Sequence, residues 1–91
     1  MTPEAAGRLD ALRRRFVARC AEDLAALDAA STPEALRPVL HRLAGAAGTF
    51  GYPDLSRLAG EAEDATVEGR MPTAAELDAV RAALTRLTAS G

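Results

Sequence analysis

The chain has no tryptophan, one cysteine, one histidine and only three aromatic residues, Phe16, Phe50 and Tyr52. A lone cysteine, Cys20, cannot close an internal disulfide, which excludes the cross-linked secreted scaffolds and suits a reducing compartment. Isoleucine, lysine, asparagine and glutamine are also missing, so all 11 basic residues are arginine. That bias fits GC-rich codon usage and says little about a site. No apolar run approaches the ~20 residues needed to cross a bilayer. No signal-peptide-like hydrophobic region stands near the start either, so a cytoplasmic address without membrane insertion is expected. A basic excess is lacking too: the formal net charge is −2, whereas a binder of phosphate backbones carries a positive stripe. Nucleic acid is not an expected partner.

What is present is the vocabulary of helices. With 91 residues, 48% of them apolar and 26% charged, the chain is expected to form one domain over 1–91. A chain of this size buries only about 60–65% of its unfolded surface, so its core is modest. Thr2-Pro3-Glu4 opens a first helix over about 3–29: Thr caps, Pro fits the first helical position and Glu complements the dipole. Leu9, Leu12, Phe16, Cys20, Leu24 and Leu27 recur along it at spacings of three and four, flanked by Ala5 and Val17. Arg8, Arg14, Arg15, Arg19 and Glu22 take the other face. The adjacent Arg13, Arg14 and Arg15 spread around the helix and read as a solvated face rather than an anion site. Cys20 falls on the apolar stripe and reads as core, not nucleophile.

Thr32-Pro33-Glu34 repeats the opening device for a second helix, which runs to about Thr49. Pro38 lies inside it and predicts a kink or a restart, because its ring clashes with the carbonyl of Glu34 and it has no N–H to donate. Gly51 suits the reversal, and Pro53 and Asp54 begin a third helix. That helix turns Leu55, Leu58, Ala59, Ala62 and Thr66 inward, turns Arg57, Glu61, Asp64 and Glu68 outward, and ends at Gly69. Thr73 and Glu76 form a capping box, and Leu77, Val80, Leu84 and Leu87 make the seam of a fourth helix. Phe50 and Tyr52 are expected to pack at the turn. Nothing reads as a strand. The expectation is an all-α, antiparallel up-down four-helix bundle.

One stretch carries the chemistry. In LRPVLHRLAGAAGTFGYPDL, from Leu36 to Leu55, the apolar residues Leu36, Val39, Leu40, Leu43, Ala47 and Phe50 share one helix face. His41 lies nearly opposite at roughly 100° per residue, on a face with Arg37, Ala44, Gly45 and Gly48. Glycine costs about 1 kcal/mol relative to alanine in a helix interior. Two of them beside the only histidine suggest that something needs close access to an imidazole.

His41-Arg42-Leu43-Ala44-Gly45, then Ala46-Ala47, Gly51 and Leu55, resembles the signature of histidine-containing phosphotransfer (HPt) domains. The close match covers about 20 residues, and the four-helix pattern extends it over the chain. The resemblance implies a phosphocarrier of bacterial two-component phosphorelays, not a turnover enzyme, with His41 as phosphoryl acceptor. It implies as partners a response-regulator receiver domain, a histidine kinase or both, and Mg²⁺ on the receiver only, so this chain needs no cofactor or metal. A monomer is expected. Leu40, Ala44, Gly45 and Gly48 would form much of the docking contact on the first two helices. The family carries a lysine three residues after the histidine; here that position is Ala44, with Arg42 or Arg37 as candidate nearby cations. The departure keeps a second reading open, an adaptor that binds a receiver or kinase without efficient transfer. The pattern suits a free-standing carrier and a domain of a hybrid kinase alike.

A partner at the second ring nitrogen would fix the tautomer of His41. Antiparallel second and third helices bring residues 61–64 level with it, and Glu63, nearest the buried stripe, is the expected neighbour. Other site chemistries fit poorly. No Gly-Lys-Ser/Thr follows a strand, which excludes a P-loop. A di-iron bundle needs several inward carboxylates and usually two histidines, which the chain cannot supply.

Overall fold

A computed structural model describes residues 3–90, which form four helices: α1 (Pro3–Ala29), α2 (Pro33–Thr49), α3 (Pro53–Val67) and α4 (Ala74–Ser90). Among the described residues there is no strand. Each helix packs on its neighbours in sequence and α4 closes onto α1, the arrangement of an up-down antiparallel bundle. The expected cap at Thr2 lies outside the described residues.

The core follows the periodic stripes. Phe16, Cys20 and Leu27 of α1 are buried with Leu36, Val39, Leu40, Leu43 and Ala47 of α2, Leu55, Ala59 and Ala62 of α3, and Val80 and Leu84 of α4. Phe16 stacks on both Phe50 and Tyr52, with ring centroids 5.4 and 5.5 Å away, so the aromatics close the end of the bundle at the α2–α3 turn. Burial, aided by the charge of Asp23, pushes the Cys20 thiol up to about 11, which leaves it a core residue without thiolate reactivity. Leu9 and Leu12 depart from expectation: both are exposed. At about 1.5 Å per residue, α1 outruns the shorter α2 and α4, so its first turns carry the apolar pattern with no helix opposite.

Pro38 neither breaks nor restarts α2. One lost hydrogen bond near the helix start is tolerated because Leu36, Val39 and Leu40 on both sides of the proline are held in the core. Thr32 caps α2 by accepting from the Ala35 N–H at 3.1 Å.

At its far end, the Tyr52 N–H donates to the Ala47 carbonyl at 2.8 Å across Gly51, whose φ is +85°. α3 ends in the same way, with the Arg70 N–H on the Ala65 carbonyl across Gly69 at φ +81°. Both are left-handed glycine terminations, which a β-carbon would strain.

The capping box of α4 forms as read: the Thr73 N–H donates to Glu76 at 2.9 Å, and the Glu76 N–H donates to the Thr73 hydroxyl at 3.1 Å. The Glu76 carboxyl is held below its ordinary value of 4.5, first by the Thr73 backbone N–H, then by the Thr73 side chain, with Arg70 adding less. A carboxyl depressed in the folded state stabilises the fold above its unfolded value and loses that contribution as pH falls below it. Glu76→Gln should therefore be less stable than the parent at pH 7, with the gap closing below about pH 4.5. Urea midpoints across that range check this, and a gap that persists at low pH would contradict it.

Candidate functional site

His41 stands near the middle of α2 on its outward face, with its side chain 78% exposed. Its Nδ1 lies 2.8 Å from Oε2 of Glu63, which projects from α3 with only 17% of its side chain exposed. The register expected from the antiparallel pairing is thus met. A carboxylate accepts only, so it selects the tautomer with the proton on Nδ1 and leaves the Nε2 lone pair free. The carboxylate also stands ready to balance a positive ring.

Two side chains expected at this site lie elsewhere. Leu40, expected on the docking surface, is 0% exposed; it belongs to the stripe facing the core, and no partner can reach it. Arg42, a candidate cation beside the ring, lies about 100° around the helix from His41. Its guanidinium instead donates to Oδ1 of Asp23 on α1 at 3.1 Å. Asp23 is only 4% exposed. Its charge is therefore held in the bundle by Arg42, and the pair ties α1 to α2 behind the site. Sequence reading missed Asp23, although the spacing Phe16, Cys20, Asp23, Leu27 places it on the buried seam.

The small residues divide into two roles. Gly45 is open: a β-carbon there would meet nothing within 4 Å. Gly48 is not, since a β-carbon would sit 3.3 Å from Oγ of Ser56. That hydroxyl donates to the Ala44 carbonyl at 2.8 Å. Gly48 and Ala44 therefore let α3 approach α2 closely, while Gly45 keeps the surface beside the imidazole flat. Ser56 is a further residue that periodicity did not single out.

Arg37 and Pro38, one turn before His41, line a depression of about 280 Å³ together with His41 and Glu63. Two larger depressions lie elsewhere, in the α1–α2 groove beside Phe16 and at the α2–α3 turn beside Leu87. Among the described residues, no group of three His, Cys, Asp or Glu side chains is placed to hold a metal ion. No helix among them is long and apolar enough to cross a membrane.

Fold and surface together define a helical bundle that holds one imidazole out in solvent, oriented by a carboxylate on the neighbouring helix. The family model of the Hpt domain matches residues 11–90. The chain belongs to that family, whose members carry phosphoryl groups on histidine in phosphorelays. Comparison with curated proteins gave no match, and none of the solved structures matched.

Proposed function

We propose that this chain is a phosphocarrier that takes a phosphoryl group onto Nε2 of His41 from the aspartyl phosphate of a response-regulator receiver domain, and can return it. The observation that carries the reading is the asymmetry of the ring: Nδ1 is engaged by Glu63 at 2.8 Å while the rest of the side chain stands in solvent. In transfer, the Nε2 lone pair attacks phosphorus, the N–P bond forms, and the P–O bond to the receiver aspartate breaks. The aspartate leaves as a carboxylate. The ring keeps its Nδ1 proton and becomes cationic against Glu63, so no proton has to leave.

The chain's contribution is a nucleophile held in line, and positioning supplies most of what a phosphoryl-transfer site needs. Mg²⁺ and the groups around it belong to the receiver, and this chain brings no cofactor. The docking contact comprises His41, the open flank at Gly45, the half-buried Ala44 and the exposed Gly48, with Leu40 beneath it as support.

The test is incubation with phosphorylated receiver domains from the same cell. A label that is acid-labile and alkali-stable on the parent chain, and absent from His41→Gln, supports the carrier. Binding with no label on either chain overturns it and favours the adaptor that the alanine at position 44 leaves open.

A further inference from the structure

Phosphorylation of His41 would set a charge problem that the chain must solve. The phosphoryl group is an anion with three acceptor oxygens, and it would arrive beside Glu63, already 2.8 Å from the ring. The Glu63 carboxylate is matched by the imidazolium it holds, so the phosphoryl oxygens need a separate cation. Ala44 offers none. Arg42 cannot serve, because withdrawing it would leave Asp23, 4% exposed, as an uncompensated buried charge.

Arg37 is placed differently. It stands four residues before His41 on the same face of α2, just over one turn or about 6 Å along the axis. Helical side chains lean toward the N-terminus, which inclines the imidazole toward Arg37. The two share one depression with Pro38 and Glu63. Arg37 is exposed, and among the described residues its side chain makes no ion pair or hydrogen bond. A guanidinium presents its N–H groups as a planar fork suited to two phosphoryl oxygens at once. Pro38, next in sequence, contributes an apolar wall to that depression.

We infer that Arg37 is the phosphoryl-binding residue of this carrier, closing its guanidinium over the oxygens of the group on His41 Nε2. The inference rests on the phosphocarrier reading, yet it can be tested without a partner protein. Phosphoramidate, a small phosphoryl donor, can label the single histidine directly, and ³¹P NMR then reads the product.

In Arg37→Ala, the midpoint of the phosphoryl titration should rise and the phosphohistidine should form about tenfold more slowly. Arg37→Lys should recover part of both effects, and Arg37→Glu should exceed the alanine loss. Urea midpoints should stay at the parent value, since Arg37 is a surface residue. A phosphoryl titration and a labelling rate that are unchanged in Arg37→Ala would overturn the assignment. If no receiver labels the parent chain but phosphoramidate does, with the Arg37 dependence intact, the relay reading fails and the anion site stands.

Discussion

Glu63→Ala should slow phosphoryl transfer onto His41 by about 10–30-fold while barely altering the stability of the bundle. A hydrogen bond to a charged group is worth about 1.5–3 kcal/mol. The imidazole is 78% exposed, so water replaces part of the lost contact, and the bottom of that range, about 1.5–2 kcal/mol, converts to about 10–30-fold in rate. Two effects combine in this loss. Without the carboxylate, the ring distributes its proton between both nitrogens, and the cationic product loses its counter-charge. Glu63→Gln keeps an acceptor and drops the charge, so it should fall between alanine and the parent. The contribution of an exposed pair to folding is about 0–1 kcal/mol, so urea midpoints should hardly move. Imidazole ¹⁵N shifts give the decisive readout: the parent should show the Nδ1–H form, and the alanine variant a mixture. A parent ring protonated mainly on Nε2 would sink the assignment.

The largest effect on stability is expected at the residue immediately before the nucleophile. Leu40→Ala should cost about 2–5 kcal/mol, the range for emptying a leucine site in a well-packed core. Folding stability runs to about 0.05–0.15 kcal/mol per residue, so in a domain this small the change removes a large part of the whole. Leu40 is 0% exposed among Leu36, Leu43 and the alanines of α3. In a core so rich in alanine, neighbouring side chains have little length with which to fill the void. Equilibrium urea unfolding measures this directly, and a loss below about 1 kcal/mol would mean that the site collapses freely. Residual transfer activity, corrected for the folded fraction, should stay near the parent value, because the side chain supports the surface from beneath without touching the partner.

Helix boundaries were legible because strong punctuation brackets each element. Thr32-Pro33, Gly51, Gly69 and the Thr73–Glu76 pair all act at the chain positions their chemistry requires. The pairing of His41 with Glu63 was also within reach, since two antiparallel helices about a short turn fix which residues come level.

Three things were not legible. Periodicity identifies an apolar face without saying how far along the helix that face is covered, so it places Leu9 and Leu12 on the seam although both are exposed. It also cannot tell which small residue near a functional group is small for a neighbouring helix; a β-carbon at Gly48 would press on Ser56 of α3, whereas one at Gly45 would meet nothing within 4 Å. Finally, an arginine next to a histidine in sequence is a quarter-turn away in space, which is why Arg42 answers to Asp23 rather than to His41.

The connection between α2 and α3 spans only residues 50–52 and is sealed by the Tyr52–Ala47 hydrogen bond. A residue inserted there would break that hydrogen bond and let α3 slide relative to α2, taking Glu63 out of register with the ring. The carboxylate would leave the ring although neither partner had changed. Sequence drift in this lineage should therefore spare the length of that hinge.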